Sequence, residues 1–405
     1  MKMPDAIDLQ LFDMTAADGP ASLADAASAA AAAMEDAATP TPPPIGEASS
    51  TEQDDVDDLA FDSDLATLAL QTPAFATFLA QVQAEGLYDP QIIRECFISL
   101  MMGHLMLTGP PGTGKTHLAR ALARAFNVAL SDATANSEWS VYEVIGQPTI
   151  RGTAVGYKHG AVTRAIYDCY EKIGSNVEEQ NPTQATWLLI DEINRADIDR
   201  AFGPLFTALS GGVTAQYLLD YVPNPQLLII PKRFRIIATL NSVDTRFVNG
   251  MSSALKRRFS RVAVLPPATV DGQIPAAEFT YCRNSALSAL PDEAGKWLQP
   301  PFPDFEATMR SVFGLFRSRV SVGAAHVIDT LHFMALGLSL ETEPPTAELL
   351  ATALDEAVTC KLLSGVESDM ARESLNQDFL DSFAAQFPQM TRTSRRLRAF
   401  VDSTD

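Results

Sequence analysis

Residues 109–116 read Gly-Pro-Pro-Gly-Thr-Gly-Lys-Thr, and this octet decides the fold. It fits the pattern G-x-x-x-x-G-K-[ST], which is typical of phosphate-binding loops. Glycines let the backbone turn its N–H groups inward around a polyphosphate. Lys115 can then reach the β- and γ-phosphates, and the Thr116 hydroxyl can bind Mg²⁺. The sequence therefore predicts nucleotide-binding residues at Gly109, Pro110, Pro111, Gly112, Thr113, Gly114, Lys115, Thr116 and the following His117.

The residues on either side of the octet have the pattern of a strand followed by a helix. Residues 104–108 are a short apolar run, and after the octet Leu118, Leu122 and Phe126 recur at helical spacing. A loop in this position lies at a helix N-terminus, where the helix dipole also favours phosphate. This context argues against a chance match in a turn rich in glycine and proline.

Further apolar runs predict a sheet whose strands alternate with helices. They lie near residues 128–130, 186–190, 235–240 and 261–265. This alternation predicts an α/β fold with a parallel sheet and helices on both faces. Ligands bind such sheets at the carboxyl ends of the strands, and the octet, the pair Asp191-Glu192 and Asn241 all fall at those ends.

Hydrolysis of a bound nucleotide needs a metal-side carboxylate, a group that orients water, and positive charge near the γ-phosphate. Asp191 can hold Mg²⁺ together with Thr116, and Glu192 can polarise the attacking water. Asn241 can place its amide near the same phosphate, although asparagine at a strand end is often simply turn chemistry. Arg257 and Arg258 can reach a neighbouring subunit's γ-phosphate as arginine fingers, or can form a solvated basic face.

Composition limits the class of protein. Residues 1–64 carry 15 acidic residues and one basic residue, so most of the formal net charge of −20 lies there. Such a segment is not expected to bind nucleic acid. The four cysteines are scattered without a C-x-x-C pattern, which favours a reducing, cytoplasmic setting without a zinc site. No run of about 18 apolar residues predicts a membrane span.

Three regions are expected along the 405 residues. Residues 1–63 are rich in alanine, proline and aspartate and predict a disordered acidic tail. Residues 64–268 hold the strand and loop patterns and predict the nucleotide-binding α/β domain. Beyond Pro267 the strand patterns stop, and residues 269–405 predict a smaller helical domain, with helices near 305–316, 324–336, 346–363 and 380–387.

Four spaced segments together resemble the AAA+ ATPases of the MoxR- and McrB-type branch. They read GPPGTGKTHLARALA, WLLIDEINRAD, ATLNSVD and SSALKRRF. The residues from Asn241 to Phe259 are closer to the McrB type than to the MoxR type. The resemblance extends from about residue 65 to the C-terminus and leaves the acidic tail outside.

The resemblance implies a P-loop NTPase domain followed by a helical lid. It implies Walker A at residues 109–116, Walker B at Asp191 and Glu192, sensor 1 at Asn241, and arginine fingers at Arg257 or Arg258. A hairpin within residues 212–231 would line a pore or contact a partner. The functional form would be a ring, usually hexameric, with Mg²⁺ and ATP between subunits.

Two departures from the family pattern leave roles open. The stretch 320–326 lacks the sensor 2 arginine of these proteins, so Arg319, Arg395 or Arg396 remain candidates. McrB-type motors use GTP and carry a DNA-reading domain before the motor, whereas this chain has an acidic tail there. Residues 241–244 do match N-x-x-D, a short pattern that can read guanine, so GTP remains an alternative to ATP.

Three functions are compatible with the sequence. The favoured one is an ATP-hydrolysing ring that remodels a protein partner. The alternatives are a nucleic-acid motor of a restriction-type system using GTP or ATP, and a nucleotide-gated scaffold with little turnover. Glu192 and the two arginines argue against the scaffold, and the acidic tail argues against the nucleic-acid motor.

Overall fold

The computed structural model describes residues 63–151, 154–178, 182–210, 215–222, 224–241, 253–288, 290, 303–341, 343–366 and 374–402. The predicted tail at residues 1–62, and residues 242–244 of the N-x-x-D match, lie outside these ranges. No helix in the described ranges is long and apolar enough to cross a membrane.

The strands are β1 (His104–Gly109), β2 (Ala129–Thr134), β3 (Gly146–Arg151), β4 (Ala154–His159), β5 (Thr186–Asp191), β6 (Gln216–Leu219), β7 (Gln226–Ile229), β8 (Ile236–Asn241) and β9 (Phe259–Ala263). The helices that accompany them are α1 (Ser63–Thr67), α2 (Phe75–Glu85), α3 (Pro90–Met102), α4 (Lys115–Ala125), α5 (Val141–Val144), α6 (Ala161–Glu178), α7 (Ile198–Phe202) and α8 (Ser253–Arg258). The helices that follow the last strand are α9 (Ala276–Ser288), α10 (Pro303–Arg317), α11 (Ala324–Ser339), α12 (Ala347–Ala357), α13 (Leu363–Val366), α14 (Gln377–Gln386) and α15 (Thr391–Asp402), with a π-helical turn at Val358–Leu362.

Five strands form one parallel sheet in the order β2-β5-β8-β1-β9. This confirms the predicted α/β class with a parallel sheet flanked by helices. The central strands β1, β5 and β8 are buried along nearly their whole length, which explains their continuous apolar sequences. The pairing register places Gly109 opposite Asn241 and Thr134 opposite Asp191. The predicted site residues therefore meet at the carboxyl ends of the strands.

Two hairpins stand apart from the main sheet. β3 pairs with β4, and β6 pairs with β7, each in antiparallel fashion. The second lies within the 212–231 stretch where a hairpin was expected. Each carries a cross-strand apolar pair exposed to solvent: Ile150 with Val155, and Leu218 with Leu227.

The buried apolar side chains form two clusters, one from Ala66 to Val264 and the other from Ile274 to Leu397. The second cluster contains no strand residues and comes mostly from helices. It includes Phe316, Phe379 and Phe383, whose rings contact one another. A C-terminal helical region therefore follows the sheet, as predicted. The domain limits at residues 63 and 268 remain predictions.

Candidate nucleotide site

The octet forms the turn between β1 and α4. Gly112 and Gly114 have φ angles of 74° and 82°, a region that side chains other than glycine rarely adopt. A Cβ on Gly109 would lie 2.2 Å from the carbonyl oxygen of Val264, so the loop also packs closely against the chain after β9. The glycines of the motif are thus required by backbone conformation and close packing.

Lys115 lies inside this turn. Its Nζ donates hydrogen bonds to the carbonyl oxygens of Gly109 (3.0 Å) and Pro110 (2.7 Å), and the residue is only 7% exposed. Burial lowers the pKa of Lys115 to about 8, while the charges of Asp191 and Glu192 oppose the shift. A cation buried against neutral carbonyl groups is stabilised by an anion, so the loop fits a phosphate ligand.

Thr116 and Asp191 are brought together from α4 and β5. The Thr116 hydroxyl donates to Oδ1 of Asp191 at 2.9 Å, and the Thr239 hydroxyl donates to the same oxygen. A hydroxyl and a carboxylate at hydrogen-bond distance are hard oxygen donors of the kind that Mg²⁺ prefers. These residues therefore fit a magnesium ion bound beside the phosphate loop.

Glu192 follows directly, in an unusual backbone conformation. Its φ of 52° is left-handed, and its N–H donates to the Thr239 hydroxyl at 3.0 Å. Its carboxylate forms an ion pair with Arg195 and accepts a hydrogen bond from Asn241 at 3.2 Å. Strained residues of this kind cluster at functional sites. The Glu192 side chain thus lies against Asn241.

Asn241 is fixed from two sides. Besides contacting Glu192, its backbone N–H donates to Oδ1 of the buried Asn194 at 3.3 Å. The predicted group at the ends of β5 and β8 is therefore assembled around the phosphate loop.

Arg257 and Arg258 lie elsewhere. They end α8 directly before Phe259, which pairs with His104 at the amino ends of the strands. A strand of this length spans about 20 Å, so the two arginines are far from the phosphate loop of their own chain. Arg258 donates to the carbonyl oxygen of Phe206 at 2.7 Å, and Arg257 is exposed.

Residues that the sequence did not predict approach the loop from two distant segments. Tyr88 donates to the carbonyl oxygen of Gly114 at 3.2 Å and hydrogen-bonds Nδ1 of His117 at 2.8 Å. His117 therefore lies beside the phosphate loop. Burial raises the pKa of Tyr88, so its hydroxyl stays protonated.

The second segment is the start of α11. The N–H of Ala325 donates to the carbonyl oxygen of Gly112 at 3.1 Å, and a Cβ on Gly112 would meet the His326 ring at 2.7 Å. Burial lowers the pKa of His326. The helical region thus contacts the loop through the stretch where a sensor 2 arginine was expected. Ala325 and His326 stand there in place of an arginine.

Residues 104–259 match the family described as AAA domain (dynein-related subfamily). This segment is an AAA domain of the AAA+ family. The match begins with β1, ends at the first residue of β9, and includes every catalytic, phosphate-binding and metal-binding residue predicted from the sequence.

Two curated proteins are similar to part of this chain. The EcoKMcrB subunit of the type IV methyl-directed restriction enzyme of Escherichia coli (strain K12) is 28% identical over 168 residues, which are 40% of this chain and 35% of that subunit. A mitochondrial Lon protease homolog of Scheffersomyces stipitis is 27% identical over 164 residues, which are 40% of this chain and 13% of the homolog. The chain therefore spans only about a third of the McrB subunit and less of the Lon homolog.

Among solved structures, a mutant RuvB from Thermotoga maritima is 14% identical, with a TM-score of 0.41. The alignment covers 75% of this chain and 78% of the RuvB chain.

Proposed function

We propose that this chain is an ATP-hydrolysing AAA+ ring motor that remodels a protein partner, with Mg²⁺ and ATP bound between subunits. One observation carries the proposal: the carboxyl ends of the strands bring together Lys115, Thr116, Asp191, Glu192 and Asn241. These side chains supply a phosphate-binding cation, oxygen donors for a metal, and a positioned carboxylate.

The roles follow from the contacts. The backbone of the octet and Lys115 bind the phosphates, and Thr116 and Asp191 would hold Mg²⁺. When bound, the metal would neutralise charge on the phosphate oxygens. Glu192 accepts a proton from the attacking water, while Asn241 fixes the orientation of the Glu192 carboxylate. The Thr239 hydroxyl contacts both the Asp191 carboxylate and the backbone N–H of Glu192, and so fixes their relative position.

Dependence on a neighbouring subunit follows from the position of the two arginines. Arg257 and Arg258 lie at the opposite end of the strands from the loop. In this proposal they therefore act on a neighbour's nucleotide and not on that of their own chain. Charge stabilisation by such an arginine is worth roughly a thousandfold or more in rate. A single chain is therefore expected to bind nucleotide but to hydrolyse it slowly.

A protein partner is supported by the two hairpins. Ile150 and Val155 are 80% and 76% exposed and sit opposite each other, as do Leu218 and Leu227. Exposed apolar patches on a soluble protein commonly mark interaction sites. Two such pairs, on separate hairpins of the same domain, favour contact with a polypeptide.

The test is the dependence of specific activity on protein concentration. Phosphate release is measured with ATP and with GTP over a dilution series, with light scattering on the same samples. The proposal expects turnover per subunit to rise as larger particles form, and ATP to be the better substrate. Activity from a monomer that does not change with dilution would contradict it.

A second candidate is a nucleic-acid motor subunit of a restriction-type system. It is favoured by the 28% identity with the E. coli McrB subunit. In that case hydrolysis would be stimulated by DNA and would prefer GTP in the same assay. If added DNA does not change turnover, and an added unfolded polypeptide raises it, the protein-remodelling function is retained.

A further inference from the structure

A cavity lies at the amino ends of the strands, at the opposite end of the sheet from the nucleotide site. It has a volume of about 450 Å³ and is bounded by the end of α3, the start of β1, the segment before β8 and the end of α8. Pockets of this size accommodate small-molecule ligands.

Of the described residues that line this cavity, none is acidic and four are cationic: Lys232, Arg235, Arg257 and Arg258. His104 also lines it, but burial lowers the pKa of His104 to about 3, so the ring is neutral at physiological pH. Within the part of the chain that the structure describes, no ion pair joins Lys232, Arg235 or Arg257 to a carboxylate. Among the described residues, positive charge is thus concentrated at Lys232, Arg235 and Arg257.

One of these cations, Arg235, is held in place by neutral groups. Nε of Arg235 donates to the carbonyl oxygen of Leu100 at 2.7 Å, and its Nη1 donates to the carbonyl oxygens of Lys232 and Phe234, each at 2.8 Å. Burial lowers the pKa of Arg235, because removal from water disfavours the charged form. Carbonyl groups orient the guanidinium but do not neutralise it, so the cavity is preorganised for an anion.

We propose that this basic cavity is a second ligand site, which binds a small molecule carrying two or more phosphate groups. Lys232, Arg235 and Arg257 place three cations around one cavity, which suits the charge of a polyphosphate. The exposed side chain of Met102 provides an apolar contact for the body of such a ligand. The length of the β-strands separates this site from the octet. Binding of a ligand in the cavity does not require nucleotide hydrolysis.

Arg257 and Arg258 are shared with the proposed trans-acting role. In a ring that works as proposed above, a polyphosphate in the basic cavity would compete for these two arginines and lower turnover. This consequence rests on the proposed function, whereas binding to the cavity does not.

The test uses inorganic pyrophosphate as the probe and isothermal titration calorimetry without Mg²⁺. The full chain with Lys115→Ala serves as the background, so that the phosphate loop does not compete for the probe. Lys115→Ala alone should bind pyrophosphate saturably. Adding Lys232→Glu should weaken binding by about tenfold or more, because each charge-assisted contact to a phosphate contributes roughly 1.5–3 kcal/mol.

The matched control is Lys115→Ala with Lys172→Glu, which changes the net charge equally on the surface of α6, where Lys172 pairs with Glu171. It should bind like the background, and thermal melting of all three proteins should show that each is folded. The absence of saturable binding, or equal weakening by Lys232→Glu and Lys172→Glu, would overturn the proposal. Because no hydrolysis is measured, failure here is distinct from failure of the ATPase proposal.

Discussion

The amide of Asn241 donates a hydrogen bond to Oε1 of Glu192 at 3.2 Å, which links the ends of β8 and β5. Glu192 is also paired with Arg195, so its carboxylate is held by two groups from different elements. This contact gives Asn241 a role that its sequence position alone did not show, because it orients the residue proposed to activate water.

Asn241→Ala should therefore slow hydrolysis while leaving nucleotide binding near the wild-type level. The expected loss in turnover is roughly a hundredfold, as when one preorganised hydrogen-bond donor is removed from an active site. Single-turnover hydrolysis and equilibrium binding of a fluorescent nucleotide separate the two effects. Wild-type turnover would show that the contact with Glu192 does not contribute to catalysis.

The contact between the helical region and the loop predicts a different phenotype. A Cβ on Gly323 would lie 2.3 Å from the carbonyl oxygen of Gly112, so Gly323→Ala must displace α11 from the loop. Overpacking of this kind costs about 1–3 kcal/mol, which corresponds to a loss of roughly fivefold to a hundredfold in nucleotide affinity.

Gly337→Ala, in the same helix, is the matched control because a Cβ there meets nothing within 4 Å. It should leave affinity unchanged and should stabilise α11 slightly. Equal nucleotide affinity in the two variants, measured by calorimetry, would show that the lid contact does not shape the loop.

Shared active sites predict complementation between inactive chains. Lys115→Ala should abolish binding, and the double variant Arg257→Ala/Arg258→Ala should abolish turnover with binding retained. Mixed rings contain interfaces in which one chain provides the loop and its neighbour provides the arginines, so mixing should restore partial hydrolysis.

A mixture of Lys115→Ala with Glu192→Gln is the control for this experiment. Both substitutions damage the nucleotide side of the site, so no interface in that mixture is complete and no activity should return. If the two mixtures behave alike, Arg257 and Arg258 do not act on a neighbour's nucleotide.

Stability at acid pH should depend on His104. This ring is buried, accepts a hydrogen bond from the N–H of Ile236 at 3.0 Å, and has its pKa lowered to about 3 by burial and by the nearby charge of Arg235. The unfolded chain binds a proton near pH 6.5, so the folded state binds fewer protons between pH 6.5 and pH 3. The free energy of unfolding should therefore fall as pH decreases through this window.

His104→Asn removes this titration while keeping an acceptor for the Ile236 N–H. The variant should be less stable at pH 7, but its stability should decline less between pH 6 and pH 5, by about 1.4 kcal/mol per pH unit. Urea unfolding at each pH measures both slopes. Identical slopes for the variant and the wild type would contradict this account of His104.

The parts of the fold with strong local patterns were predictable from the sequence. Central strands such as Thr186–Asp191 are continuous apolar runs, because both of their faces are covered. Strand Ala129–Thr134 extends beyond its predicted end at residue 130, since it lies at the sheet edge and its outer residues are polar and partly exposed. Helix Ala276–Ser288 was not predicted, because its apolar residues do not form one clear stripe.

The site was predictable to the same extent. The octet and the strand ends carry local motifs, so the proximity of Thr116, Asp191 and Asn241 follows from the topology of a parallel sheet. The contacts of Tyr88 and Ala325 with the loop join segments far apart in the sequence, and no local pattern records such pairs. The left-handed turn at Glu192 likewise depends on its tertiary contact with Thr239.

The central claim is that Glu192 activates water for hydrolysis of a nucleotide held by the octet. The most direct measurement is Mg²⁺-dependent hydrolysis of ATP by Glu192→Gln, with nucleotide binding measured on the same sample. The amide keeps the size of the side chain and its contact with Asn241 but cannot accept a proton. The account predicts nearly unchanged binding and a loss in turnover of roughly two to four orders of magnitude. Hydrolysis at the wild-type rate would contradict the assignment of Glu192 and with it the proposed mechanism.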